Sequence, residues 1–352
     1  VIQLFSGVDN FVVNNMTTYA CRGRYFAIGA GCSNSRCLNN EYLKTQGRIM
    51  GSSSGGVGVD RGDNVWYEGN RYEYTRDDMF HNGSNAGKGS VYRRNHLIGA
   101  FRNSIWVQAD RTWVADNTIE YSGGRGGIHI GYAPSEPGTM PNVVLAEGNT
   151  IIRPNWHGIL LNTNVNNPDW ETGSIYNENI LIRNNHIIDN YRNEAILIEY
   201  SKNVVLENNL VTNTIDDWSV YSEDALEVGV RISNSDNVTG DGNQVLDTRI
   251  GLTDLLLVEN NNTNIDVSVT GPTSSNDKME VSNDLIVYPN PSASGFFNVS
   301  KISDYTVFSI DGKMVRGFKN TNKLNLTNID PGVYLLRDEM KGKTVKILKF
   351  SF

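Results

Sequence analysis

The chain has 352 residues and a formal net charge of −8, with 31 Lys and Arg against 39 Asp and Glu. That balance argues against a nucleic-acid binder, which needs a basic face for phosphates, and no apolar run approaches the roughly 20 residues of a membrane-spanning helix. Hydrophobic residues make up 39% of the chain, while about one residue in eight is Asn, well above globular usage.

The length admits one large all-β domain or two ordinary ones. The sequence opens at Val1 with no signal-peptide pattern, which reads as a mature form or a fragment. Cys21, Cys32 and Cys37 follow close together. An odd count permits at most one internal bridge, and a zinc site would need a fourth ligand that the spacing does not supply. Packing or one disulfide is expected, with no metal and no cofactor.

From residue 90 a repeat sets in. "SVYRRNHLIG", "TWVADNTIEY", "NVVLAEGNTII", "NILIRNNHII", "NVVLENNLVT" and "NVTGDGNQVL" each place a β-rich run before an asparagine: Asn95, Asn117, Asn149, Asn185, Asn209 and Asn243. Asn15, Asn40 and Asn70 fit the same slot less cleanly. About ten residues behind each asparagine a second pattern reads small, apolar, variable, apolar, as in "SIWV", "GIHI", "GILL", "AILI" and "GVRI". Alternation of this kind marks a half-buried strand. A strand–turn–strand unit cannot bury its apolar face alone, but stacked units spaced ~4.8 Å apart can. The expected fold is all-β: a right-handed parallel β-helix of about nine coils over residues 1–265. Leucine-rich repeats would need a tighter period and a leucine framework. The recurring Asn is expected to adopt a left-handed turn and to bond its copy one coil away.

Aligning the coils on the second strand produces columns. Just before the strand stand Asp78, Asn103, Gly126, His157 and Glu194, and one residue earlier Asp77, Arg102, Arg125, Trp156 and Asn193. The variable mid-strand position holds His81, Trp106, His129, Leu160 and Leu197, with Arg231 continuing the column. Outward positions of a solvated scaffold should be bland. Here they form a strip of acids, bases and an aromatic, which suits a polysaccharide or oligosaccharide. Sugar rings stack on aromatic faces, and Arg, Asn and His bond hydroxyls or anionic groups. Asp77, Asp78 and His81 are the candidate catalytic residues, because glycosidic cleavage needs a proton donor and a second carboxylate. Arg102, Asn103, Trp106, Arg125, His129, His157 and Glu194 are the candidate substrate-binding residues. A lyase is the alternative, with a His base and an Arg to neutralise a uronate; a non-catalytic glycan-binding surface protein or adhesin is another. A monomer is expected.

Residues 266–284, including "GPTSSNDKMEVSND", read as a linker. Residues 285–352 carry short alternating strands with "DG" and "PG" turns, the pattern of a small antiparallel β-sandwich. "YPNP", "IDGKMV", "LTNIDPGVYLL" and "KTVKILKF" resemble, in order, the C-terminal sorting domain of the Por, or type IX, secretion system of Bacteroidetes. That resemblance implies export across the outer membrane, the type IX machinery as a partner, a secreted or surface-attached product, and a signal peptide upstream of Val1.

The DD pair opening a strand in "RDDMFHNGS" is similar to that of carbohydrate-active β-helix proteins, including polygalacturonases and β-helix α-1,3-galactosidases. This resemblance implies a glycoside hydrolase. Those families also use a third aspartate about one coil earlier, where Asp60 and Asp63 are nearest, and polygalacturonases carry a Gly-His-Gly motif that is absent here.

Overall fold

The computed structural model describes residues 2–4, 7–19, 26–29, 31–43, 58–60, 62–75, 78–82, 88–131, 140–162, 177–213, 228–247, 252, 254–271, 287–288, 295–309, 312–330, 332–342 and 344–349. It is all-β and forms two compact units, Val1–Asp277 and Lys278–Phe352.

The first unit is a right-handed parallel β-helix. Its first sheet has ten parallel strands, one per coil, running from Ile2–Leu4 through Phe80–Asn82, Ile105–Val107, Gly126–Ile130, His157–Leu161 and Ile196–Glu199 to Val228–Ser233 and Asp254–Glu259. Ten strands span nine turns, as the repeat predicts. Two further strands complete most coils, exemplified by Val91–Arg93 and His96–Ala100. The last strand, Thr263–Thr270, crosses the boundary expected at residue 265.

Register holds each side chain over its own kind. Phe80, Ile105, Ile128, Ile159, Ile196 and Val230 are consecutive partners on the first sheet and point into the core. Facing them are Tyr67, Tyr92, Val114, Ala146, Ile182 and Leu206, and Tyr72, Leu97, Ile119, Ile151, Ile187 and Val211. Each fully buried aliphatic side chain contributes on the order of 1.5–3 kcal/mol. The early coils fill the same volume with rings: Tyr42 stacks on Tyr72 at 4.5 Å and Tyr67 on Tyr92 at 5.3 Å. Burial pushes the Tyr42 and Tyr72 hydroxyl pKa values up. Cys32 and Cys37 are buried in this core; Cys21 lies outside the described residues.

The asparagine ladder is continuous from Asn40 to Asn243. Each ladder Oδ1 accepts the backbone N–H of the preceding ladder residue at 2.9–3.1 Å. It also accepts that residue's Nδ2 at 2.9–3.0 Å where the residue is Asn. Nδ2 also donates to a carbonyl one coil back, as Asn95 does to Tyr67. Every amide group is thereby satisfied in the interior, which buried polar groups require. Two expectations are corrected. The left-handed backbone belongs to the residue before the ladder asparagine: Asn39, Gly69, Arg94, Asp116, Gly148, Asn184, Asn208 and Gly242 all have positive φ, whereas the ladder residues do not. Asn therefore recurs for its amide alone. In the first coil the slot belongs to Met16, whose N–H bonds Asn40, and Asn15 is the left-handed residue before it.

The second unit is a five-stranded antiparallel sheet. Its longest strand, Phe296–Ser309, pairs with Val287–Tyr288, Met314–Asn325 and Gly332–Asp338. Bulges between Asn298 and Tyr305 let it bend around a core that includes Phe297, Val307, Leu324 and Leu336.

Candidate functional site

Alternation on the first sheet turns His81, Trp106, His129, Leu160, Leu197 and Arg231 away from the core, in the register the sequence columns predicted. This face is buried, not open. His81 is 2% exposed, Trp106 5% and His129 1%. Their rings form one stack, with Trp106 4.4 Å from His81 and 5.4 Å from His129. Both faces of Trp106 are thus taken by imidazoles, so it is not the sugar platform the sequence suggested. Its role is to hold the two histidines apart and parallel.

A second outward column lies two residues further along each strand, and it ties the stack down. His81 Nε2 meets Gln108 Oε1 at 2.6 Å, Trp106 Nε1 donates to the Gly131 carbonyl at 2.9 Å, and His129 Nε2 meets the Asn162 carbonyl at 3.3 Å. A backbone carbonyl only accepts, so Nε2 of His129 carries the proton. This leaves His129 Nδ1 as a buried lone pair with no partner among the described residues, as are Asn103 Oδ1, Gln108 Nε2 and Asn162 Oδ1. Burial, and then the Arg125 charge, push the His129 pKa down to about 3. A Cβ on Gly131 would meet the Asn162 carbonyl oxygen, so only glycine fits under the Trp106 bond.

At the entrance to these strands, Asp78 is 2% exposed. Its Oδ1 accepts both the backbone N–H of Asn103 at 2.9 Å and Asn103 Nδ2 at 2.7 Å, and Arg102 Nη1 lies 3.9 Å from Oδ2. Arg102 also sits 5.6 Å over the Trp106 ring. Burial and the Arg102 charge push the Arg125 pKa down, opposed by Asp78. Asp77 lies outside the described residues.

Further along, His157 and Glu194 come together as Nδ1 and Oε2 at 3.4 Å, and Arg231 reaches Glu194 Oε1 at 2.9 Å and Glu259 Oε1 at 3.5 Å. Burial lowers the His157 pKa against the pull of Glu194. Glu199, which the sequence columns missed, accepts Ser233 Oγ on Oε1 and Asn162 Nδ2 on Oε2, both at 2.9 Å. Burial pushes its pKa up, and the charges of Glu194 and Glu259 add to that, against Ser233 and Arg231. Trp156, 41% exposed, stands edge-on to His157 at 6.5 Å. The structure therefore gathers Asp78, His81, Arg102, Asn103, Trp106, Arg125 and His129 on consecutive coils, and His157 follows directly, its backbone N–H bonded to the Arg125 carbonyl at 3.0 Å, with Glu194 one coil further on. Gln108, Asn162, Glu199 and Glu259 were legible only as the positions two beyond the mid-strand column.

Residues 286–350 match the family described as the secretion system C-terminal sorting domain, Por_Secre_tail. Among solved structures, the Dettilon tailspike protein aligns at 11% identity and a TM-score of 0.50, over 95% of this chain and 70% of that one. The N-terminal fragment of bacteriophage Phi29 gene product 12 aligns at 15% identity and a TM-score of 0.49, over 76% of this chain and 53% of that one. PfbA, a surface adhesin of Streptococcus pneumoniae, aligns at 12% identity and a TM-score of 0.46, over 99% of this chain and 70% of that one. A comparison with curated protein sequences gave no match. Fold and sorting domain together define an exported parallel β-helix protein. The chain is a type IX secretion cargo, secreted or attached at the cell surface. No helix among the described residues is long and apolar enough to cross a membrane.

Proposed function

We propose that this exported β-helix acts on a polysaccharide or galactoside along the outward face of its first sheet, as a glycoside hydrolase. One observation carries the reading: Gln108, His129 and Asn162, on three consecutive coils of that face, each keep a buried hydrogen-bonding atom with no partner among the described residues. A scaffold strand would bury apolar groups or solvate polar ones. Sugar hydroxyls both donate and accept, so they match a mixture of amide donors and carbonyl or imidazole acceptors. Arg102 and Arg125 border the array and suit an anionic substituent. Asp78, with its sequence neighbour Asp77, is the acid that this end of the face offers.

The choice of hydrolase over lyase rests on His129. An imidazole held at about 3 is a poor base for removing a sugar C–H proton, because base strength follows pKa. A second reading, a glycan-binding surface protein without turnover, is favoured by Asp78, whose Oδ1 is already taken by Asn103.

The test is incubation with a panel of plant and algal polysaccharides. New reducing ends formed without unsaturated products support the hydrolase. Unsaturated products detected by ultraviolet absorbance support the lyase instead. Retention in affinity electrophoresis without products supports the binder, and neither retention nor products removes the carbohydrate reading.

A further inference from the structure

At the corner between strands such as His96–Ala100 and Ile105–Val107, the chain exposes a run of aromatic rings. Tyr74 is 58% exposed, Phe101 67%, Tyr121 48% and Trp156 41%. They lie on four consecutive coils. Phe101 N–H bonds the Thr75 carbonyl, Gly123 N–H the Ala100 carbonyl and Asn155 N–H the Ser122 carbonyl. Three interstrand steps of ~4.8 Å make the run about 14 Å long. Exposed apolar side chains scattered singly are ordinary, whereas a contiguous patch marks an interaction surface.

The backbone at this corner points the same way. Tyr74 and Tyr121 have φ of 55° and 60°, a left-handed shape that Gly and Asn adopt readily and that strains a bulky residue. The register places Gly99 between them, and the Tyr74 ring lies over it: a Cβ on Gly99 would meet the ring edge at 2.6 Å. Strained residues gather at ligand sites, where another demand fixes the side chain. Here that demand is for a ring held in water.

Two arginines line the run. Arg102 and Arg125 precede the first-sheet strands of two successive coils, and Trp156 takes that position on the third. Arg125 is half-buried and makes no side-chain hydrogen bond or ion pair among the described residues. Arg102 lies 3.9 Å from Asp78, whose other oxygen is taken by Asn103. One buried carboxylate thus serves two guanidiniums, and a positive charge is left over. The carboxylates further along this corner are engaged, Glu120 with His96 and Asp189 with Arg153. A charge withdrawn from water is costly until an opposite one meets it, and the planar guanidinium fork matches carboxylate and similar oxyanions.

We propose that this corner binds an anionic polysaccharide, with sugar rings carried on Phe101, Tyr121 and Trp156 and a carboxylate or sulfate clamped between Arg102 and Arg125. The inference rests on the carbohydrate reading above and specifies its substrate class. The polymer runs along the rod axis, past the ends of the first-sheet strands. The chain's formal charge of −8 opposes an acidic polymer at long range, but physiological salt screens that beyond about 8 Å, so the local pair decides. Nucleic acid also offers rings and anions, but its closely spaced phosphates need a broad basic face.

The test is affinity electrophoresis of the full chain in gels holding polygalacturonate, dextran sulfate, neutral galactan, neutral dextran or single-stranded DNA, with thermal unfolding as the check on folding. Wild type should be retained by an anionic polysaccharide at least about tenfold more tightly than by its neutral counterpart, and the preference should shrink as salt rises. Arg125→Gln should lose roughly ten- to a hundredfold of the anionic retention and none of the neutral. Arg125→Lys keeps the charge and should recover part of it. Phe101→Ala should weaken both kinds of retention alike, because stacking ignores charge. Polygalacturonate retained alone identifies a carboxylate, dextran sulfate alone a sulfate ester, and both together their shared oxyanion chemistry. Equal retention of charged and neutral polymers, or an Arg125→Gln variant with the wild-type preference, overturns the inference and leaves the carbohydrate reading standing. Tighter retention by single-stranded DNA than by every polysaccharide overturns the assignment to a polysaccharide. Retention by no polymer overturns the inference, and if none is cut either, the parent reading falls with it.

Discussion

The indole of Trp106 lies flat against the imidazole of His81, with ring centres 4.4 Å apart and planes 9° from parallel. His129 repeats the contact on the other face of the indole. Trp106→Ala would leave a cavity and free both imidazoles, and losing a large buried ring costs about 3–5 kcal/mol. Trp106→Phe keeps the stack and forfeits the bond to Gly131, a loss of about 1 kcal/mol. Urea unfolding should rank wild type, Phe and Ala in that order. Equal midpoints for Phe and Ala would show that the stack contributes nothing.

On the proposed carbohydrate reading, Trp156, the exposed aromatic beside His157, is a side chain expected to stack on a sugar ring. Trp156→Ala should weaken polymer retention in affinity electrophoresis about tenfold, the equivalent of about 1.4 kcal/mol of ring contact, with the unfolding midpoint unmoved. Unchanged retention would remove Trp156 from the binding surface.

Acid should destabilise the β-helix through its buried imidazoles. His129 is pushed down to about 3 and His186 to about 4, both chiefly by burial, against about 6.5 in the unfolded chain. Between the two values the unfolded state binds a proton that the folded state does not. The contribution is therefore complete above about pH 6.5 and is lost as pH falls towards the folded value. His129→Asn should flatten unfolding free energy against pH between neutrality and mild acid, by up to about 1.4 kcal/mol per pH unit. Parallel curves for wild type and variant would contradict this.

The ladder should be intolerant of gaps. Asn149 accepts from Asn117 twice and donates to Val114 and Asn185. Asn149→Ala strands several of these groups in the interior, each at about 1–3 kcal/mol, for an expected loss of at least about 3 kcal/mol in denaturant unfolding. A change below about 1 kcal/mol would mean that water or a shifted backbone replaces the amide.

Removal of residues 286–350, the sorting domain, should leave the protein inside the outer membrane of a host with type IX secretion. Fractionation of cells and medium reads this directly, and undiminished export would assign the address elsewhere.

What the sequence determined by itself was periodicity and address. The ladder from Asn95 to Asn243, the apolar columns and the sorting motifs are local patterns, because stacking in register makes each coil repeat the chemistry of the last. The same register located His81, Trp106 and His129 on one outward line. Three things were decided only in the folded chain. The left-handed residue is the neighbour of the ladder asparagine, since backbone shape and amide bonding are separate demands met by adjacent positions. The outward strip is buried, so Trp106 spends both ring faces on histidines and Asp78 spends an oxygen on Asn103; burial depends on everything that surrounds a strand. Glu199, Ser233 and Glu259 form a column only once coils of unequal length close over one another, because unequal connections hide from the linear chain a neighbour that hydrogen bonding places ~4.8 Å away.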